Sequence, residues 1–134
     1  MTTRPRRHIV VLTPCFNEAG NVEPLYERIR AVFERLAGYS YEHLFIDNAS
    51  TDDTVARLRA LAARDKRVKI IINTRNFGHI RSPYYALLQC EGDAVVAMAA
   101  DLQDPPELIP QFLAKWEEGY KVVLGLKAAS EEST

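Results

Sequence analysis

Two kinds of apolar pattern alternate along the chain. Short continuous runs at residues 8–13 (HIVVLT), 41–46 (YEHLFI), 68–72 (VKIII), 94–98 (AVVAM) and 120–124 (YKVVL) have the length and β-branched content of strands covered on both faces. Between them, apolar residues return every three or four positions. Leu25, Ile29, Val32, Phe33 and Leu36 form one such stripe, Val55, Leu58, Leu61 and Ala62 a second, and Ile109, Phe112, Leu113 and Trp116 a third. Each is the buried face of an amphipathic helix.

Polar and special residues punctuate these segments. Pro14 is expected to stop the first strand. Asn21 can cap a helix that tolerates Pro24 in its first turn and ends at Gly38. Ser50 reads as the next N-cap, with Asp52 and Asp53 in the first turn where the helix dipole favours negative charge. A further helix starts at Ser82 and Pro83, or several residues earlier, and closes at Gly92. Asp104 can cap a last helix opening at Pro105 and Pro106, with Glu107 at the capping-box position and Gly119 at its end. Pro110 lacks an N–H, so an irregular first turn is expected there.

Five strands alternating with four helices imply right-handed crossovers and an α/β fold: a Rossmann-like, mainly parallel, doubly wound sheet. In such sheets ligands bind beyond the carboxyl ends of the strands, where strand order reverses. Polar residues collect at those ends. Asn17 and Glu18 follow the first strand, Asp47 and Asn48 the second, Arg75 and Asn76 the third, and Asp101 and Gln103 the fourth. The stretch GDAVVAMAADLQDPPE at residues 92–107 runs from a buried strand directly into acceptor oxygens. That arrangement suits a hard divalent cation, Mg²⁺ or Mn²⁺, which takes one or two carboxylates and the phosphates of its substrate. Asp101 and Gln103 flank Leu102 and turn to one side if the segment stays extended. Each reading has a plainer rival: a solvated loop for Asp101, capping for Ser50, Asp53, Asp104 and Glu107, a surface cation for Arg75, and structural or solvent-facing roles for His43 and His79. Arg75, beside Asn76 and Gly78, also suits a phosphate contact.

Composition narrows the classes. A chain of 134 residues with 47% hydrophobic content fits one domain with its own core. A formal net charge of -1 gives no footprint for nucleic acid. The basic run Arg4, Arg6 and Arg7 reads as a flexible tail over residues 1–7, the domain as residues 8–126, and residues 127–134 as frayed. Cys15 and Cys90 have no metal or disulfide spacing, and Cys15 reads as a small buried hydrophobe. No apolar run approaches the roughly 20 residues of a membrane span, so a cytoplasmic, soluble chain is expected. A phospho-receiver domain would need an acidic pair after the first strand and an aspartate after the third, where Asn17, Glu18 and Asn73 stand. A dinucleotide-dependent dehydrogenase would need a G-x-G-x-x-G after the first strand, which is missing.

Four segments carry a resemblance: T-P-C-F-N-E-A-G-N at residues 13–21, F-I-D-N-A-S-T-D-D-T at 45–54, R-N-F-G-H at 75–79 and A-D-L-Q-D-P-P-E-L-I at 100–109. Together, in order and spacing, the chain resembles the family 2 glycosyltransferases of the GT-A fold, most of all the polyprenyl-phosphate branch that includes dolichol-phosphate mannose synthase and bacterial undecaprenyl-phosphate sugar transferases. The resemblance implies the nucleotide-binding half of that fold, a nucleotide-diphosphate sugar as donor, a divalent metal and a polyprenyl-phosphate acceptor. It assigns Pro14, Asn17 and Glu18 to a loop along the nucleoside, Asp47 to the base, and Asp101 with Gln103 to the metal; Asn48 and Arg75 join the donor-binding set. Two positions depart from the pattern: Ala99 stands where the first acid of D-x-D is expected, and Asp47, Asn48, Ala49, Ser50 replace D-D-G-S. No catalytic base is assigned, because the resemblance implies that it lies in an acceptor-binding half beyond these residues. Nucleotide binding without full turnover is therefore expected, at the cytoplasmic face of a membrane if the chain is part of a longer protein. Self-association, and a non-catalytic nucleotide-sugar-binding or regulatory module, are the alternatives left open.

Overall fold

The computed structural model describes residues 7–121 apart from residue 104. Within them four strands, β1 (Arg7–Cys15), β2 (Tyr39–Asp47), β3 (Val68–Ile72) and β4 (Ala94–Ala97), alternate with four α-helices, α1 (Val22–Glu34), α2 (Thr54–Arg64), α3 (Gly78–Leu88) and α4 (Ile109–Glu117). A 3₁₀ turn at Pro106–Leu108 leads into α4, the irregular start that Pro110 predicts. All strand pairs are parallel, in the order β3-β2-β1-β4. The chain steps outward from β1 to β3 and then returns to lay β4 on the other side of β1, so strand order reverses between β1 and β4. The α/β, Rossmann-like reading holds for this four-stranded sheet. The expected strand at 120–124 extends outside the described residues, as do the tail at 127–134, residues 1–6 and the Asp104 cap.

Alternate residues of each strand feed two cores. Ile9, Val11, Tyr41 and Phe45 pack with Leu25 and Ile29 of α1, Leu58 and Leu61 of α2, and Ile109 and Leu113 of α4. Val10, Leu12, Leu44 and Ile46 pack on the opposite face with Ala86 of α3. The sheet is thus wound on both sides. No helix among the described residues is long and apolar enough to cross a membrane.

Several boundaries differ from the sequence expectation. β1 runs through Pro14 to Cys15, because Pro14 shares the orientation of Leu12, whose carbonyl accepts from the Met98 N–H just as β4 ends. No ladder bond is lost where no neighbour remains. α1 stops at Glu34, and Gly38, at φ +88, forms the turn into β2 instead of ending the helix. Ser50 caps nothing: α2 begins at Thr54 with Asp53 at the N-cap position. α3 begins at Gly78 and ends at Leu88. Gly92 lies beyond it, where a Cβ would come within 3.0 Å of the His8 carbonyl oxygen and Val10 Cγ2. Glu107 pairs with Arg28 of α1.

Two fully buried polar side chains, Thr13 and His43, meet on the larger core's side of the sheet. His43 is fully buried, its ring stacked on Phe45 with centroids 3.8 Å apart and its Nε2 2.8 Å from Thr13 Oγ1. Its Nδ1 has no partner among the described residues. Burial lowers its pKa from 6.5 to about 3, a shift that Asp65 only partly opposes. The unfolded chain therefore binds a proton below pH 6.5 that the folded chain refuses until about pH 3. Stability from this site is complete above pH 6.5 and declines as pH falls, with a limiting slope of about 1.4 kcal/mol per pH unit. In urea titrations between pH 7.5 and 5, His43→Gln is expected to flatten that decline by this amount; an unchanged slope would show that the imidazole protonates in the folded state.

Candidate functional site

The polar residues that follow the strands meet at one edge because the strands are parallel and held in register. Cys15 pairs with Asp47, and Asp47 with Ile72. Backbone bonds extend each pairing past the strand ends: Asn48 N–H donates to the Cys15 carbonyl and Asn73 N–H to the Asp47 carbonyl, both at 2.9 Å. Three non-glycine residues with positive φ, Asn17 (53°), Ala49 (64°) and Leu102 (62°), stand just beyond β1, β2 and β4. Strained backbone is thus concentrated at this rim among the described residues, where tight reversals turn side chains toward one another.

The β1 and β2 loops are clasped together by side chains. Asn17 Oδ1 accepts from the Thr51 N–H (2.8 Å), the Thr51 hydroxyl (3.3 Å) and the Asp52 N–H (3.3 Å). Its own N–H donates to Ser50 Oγ at 2.9 Å. The Ser50 hydroxyl donates in turn to Asp47 Oδ1, and Asp47 Oδ2 accepts the Ser50 N–H at 2.9 Å. Asp47 is fully buried, so both of its carboxylate oxygens already shape the turn over which a ligand would lie. Glu18 N–H donates to Thr54 Oγ1 at 2.9 Å, and Glu18 Oε2 accepts from Asn21 Nδ2 at 2.7 Å. Asp52 accepts from the Thr54 N–H and hydroxyl; these bonds, the hydroxyl foremost, hold its carboxyl below the ordinary value.

A second knot joins β2, β3 and α3. Asn48 Oδ1 accepts from Asn73 Nδ2 (3.1 Å) and the Phe77 N–H (2.8 Å), while its Nδ2 donates to Asn76 Oδ1 (2.9 Å) and the Gly78 carbonyl (3.1 Å). Asn73 Nδ2 also donates to Ser82 Oγ at 2.8 Å. Asn48, expected in the donor-binding set, is 8% exposed with both donors and both acceptor positions filled by protein. Arg75 stays exposed, its guanidinium 4.7 Å from the Phe77 ring centroid. That stacking leaves the N–H groups in the guanidinium plane free to meet an anion.

At the β4 end the expected extended segment is a turn. Leu102 is drawn against the larger core, which requires its positive φ and closes Asp101 Oδ1 onto the Gln103 N–H at 3.2 Å. Asp101 and Gln103 are both exposed. Ala99 offers no ligand. Among the described residues no group of three or more His, Cys, Asp or Glu side chains could hold a metal ion unaided. Pro14 is half-buried beneath the rim, and Cys15 is buried. Desolvation pushes the Cys15 thiol far above its ordinary pKa, with Asp47 and Glu18 adding to the effect, which favours the protonated thiol of a buried small side chain.

The clasp residues Thr51, Asp52, Thr54, Asn73 and Ser82 escape sequence reasoning except as caps or loop polarity. The run S-T-D-D-T, denser in short hydroxyl and carboxyl groups than a single cap needs, is the signal that could have found four partners of the first loop. Two of the three strained positions, Asn17 and Ala49, predict opposite stability effects. Asn17→Ala removes the Oδ1 acceptor while leaving a β-carbon at positive φ, and is expected to cost about 2 kcal/mol. Ala49→Gly relieves the left-handed penalty and is expected to stabilise by roughly 0.5–1 kcal/mol after its entropic cost. Urea midpoints of the two variants against the native chain check both signs.

Comparison with known proteins gives a consistent answer. The family model for Glycosyl transferase family 2 matches residues 10–134. The glycosyltransferase YkcC of Bacillus subtilis is 38% identical over 130 residues, 96% of this chain and 40% of its own length. The bactoprenol glucosyl transferase of Shigella phage SfX is 38% identical over 126 residues, 94% of this chain and 40% of its own. The chain thus spans about two fifths of the length of these relatives. Among solved structures, the mannosyltransferase PcManGT from Pyrobaculum calidifontis, in complex with GDP-Man and Mn²⁺, superimposes with a TM-score of 0.65 at 27% identity, over 83% of this chain and 32% of that one. With its all-parallel sheet, the chain has the GT-A architecture and belongs to glycosyltransferase family 2.

Proposed function

We propose that this rim binds a nucleotide-diphosphate sugar, and that the protein acts in transferring the sugar, with inversion at its anomeric carbon, to a polyprenyl phosphate. The observation that carries the reading is the contrast along the rim. The middle is tied together by side-chain hydrogen bonds over the buried Asp47 and Asn48, whereas the two groups suited to a diphosphate, Arg75 after β3 and Asp101 after β4, remain exposed at either end of the strand order. A relative at 38% identity named bactoprenol glucosyl transferase supports the lipid-phosphate acceptor. In this reading Pro14, Asn17 and Glu18 line the nucleoside, Asp47 fixes the turn against which the base rests, and Arg75 meets a phosphate oxygen. No general base is assigned among the described residues. Such an acceptor would bring the rim close to a membrane surface on the side where nucleotide sugars are available.

The donor set suits a hard cation. Asp101 Oδ1 is tied to the Gln103 N–H, and its second oxygen has no partner among the described residues. One carboxylate is enough where substrate phosphates supply further oxygens. Asp101 would hold Mg²⁺ or Mn²⁺, with Gln103 fixing the carboxylate and offering its amide oxygen. Bound there, the cation would neutralise charge on the departing diphosphate. The chain's own contribution is to orient that diphosphate with preformed donors, which need no rearrangement as charge develops.

Ala99 favours a second reading, a nucleotide-sugar-binding module without transfer. Titration calorimetry with UDP- and GDP-sugars, with and without Mn²⁺, separates the two. Mn²⁺-dependent binding that weakens about tenfold or more in Asp101→Ala is expected, the loss of one ionic contact to a bound cation. Binding that ignores both Mn²⁺ and the substitution favours the module; no binding of either donor overturns both readings.

A further inference from the structure

One buried side chain holds the residues on both sides of Arg75. The Asn48 amide bonds to Asn73, Asn76, Phe77 and Gly78, so within 73–78 only Thr74 and Arg75 are not tied to it. The amide's orientation is fixed by partners of unambiguous type. The Phe77 N–H can only donate and must face Oδ1, and the Gly78 carbonyl can only accept and must face Nδ2. Asn76 is fixed likewise, because its Oδ1 also accepts the Gly78 N–H at 2.7 Å. Asn73 anchors the other side, through its backbone N–H to the Asp47 carbonyl and its side chain to Ser82 in α3. The knot therefore links the turn made by Asp47 and Ser50 to the first turns of α3, with Arg75 the exposed charge at its apex.

We propose that Asn48 is a positioning residue for the donor diphosphate: it touches no ligand, and acts by fixing the 73–78 segment so that Arg75 stands where a phosphate oxygen arrives. This rests on the nucleotide-sugar reading above and adds to it the device that presets the phosphate contact. Preset geometry matters because an arginine on a free loop loses conformational entropy on binding that one on a pinned loop has already lost. The amide is specifically required. Asn48→Asp keeps size and shape but replaces two donors with an acceptor that faces the Asn76 Oδ1 and the Gly78 carbonyl oxygen, so the segment must move away.

The test is a double-mutant cycle by calorimetry, using UDP and GDP with Mn²⁺ on the 134-residue chain. Asn48→Asp and Arg75→Ala are each expected to weaken binding of the preferred nucleotide by on the order of tenfold, and the double variant no further than Arg75→Ala alone. Uridine or guanosine, which lack the diphosphate, should compete equally well against every variant. Should Asn48→Asp unfold, as circular dichroism would reveal, Asn76→Ala replaces it in the cycle, since Asn76 is exposed and removes only one arm of the knot. Additive losses would show Asn48 acting independently of Arg75 and overturn the positioning role. So would full affinity in Asn48→Asp, or loss of nucleoside competition along with it. A native chain that binds neither nucleotide would instead overturn the nucleotide-sugar reading itself, and the positioning role with it.

Discussion

The site depends first on the nine-residue parallel register between β1 and β2, which sets Cys15 beside Asp47 and lets the Asn48 N–H reach the Cys15 carbonyl. A parallel pair has no turn of its own to fix register, so side-chain burial must do it. Ile9, Val11, Tyr41 and Phe45 have to face α1 and α2, while Val10, Leu12, Leu44 and Ile46 face α3. A slip of one residue would exchange the two sets and set each against the wrong helices. It would also move Asn17 away from the amides of Thr51 and Asp52, so the apolar pattern of two strands determines whether a polar clasp exists above them.

That clasp is made almost wholly of short amides, hydroxyls and carboxylates, and this choice has a physical basis. Short side chains lose little rotamer entropy when fixed. They also tolerate or induce the turns that carry residues 17 and 49 into the left-handed region, where Asn is at ease and Ala is not. The cost of strain at the rim is offset by burial below it. Phe45 and Ile46, both fully buried, lead directly into the β2 loop, on a core that also holds the fully buried Ile9, Leu25, Ile29 and Leu58. A rigid edge on a large core can hold conformations that an isolated loop would abandon.

Much of this architecture is legible in the sequence, and the failures have identifiable causes. The run 68–72 is delimited correctly because charges and amides flank it on both sides. The apolar stripe of α1 holds because a period of three to four residues survives any tertiary context. Pro14 misleads because the rule against interior proline assumes a neighbour on its N–H side, and that neighbour's departure is decided by β4, about eighty residues later in the chain. Ser50 misleads because capping is a local rule and Asp47 competes for the same hydroxyl. Asp101 and Gln103 do not alternate as a strand would, since burying Leu102 outweighs extension. Asn48 is the hardest to read, because its four partners lie 25 to 30 residues away and none has a periodic signature.

The distribution of charge along the rim bears on how a ligand would be held. Three carboxylates around a cation would grip it without help, but they would also repel the diphosphate that must share it. With Ala99 in place of a second acid, the described residues bring Asp101 too few fellow ligands to hold a hard cation on their own account. A cation would then bind well only together with phosphate oxygens, and the phosphate in turn only where a cation and Arg75 offset its charge. Linkage makes this dependence reciprocal, so each ligand strengthens the other by the same factor. On the proposed reading the rim is less a metal site that would accept a nucleotide than a nucleotide site that would complete itself with a metal, its two exposed charges, Arg75 and Asp101, standing at opposite ends of the strand order.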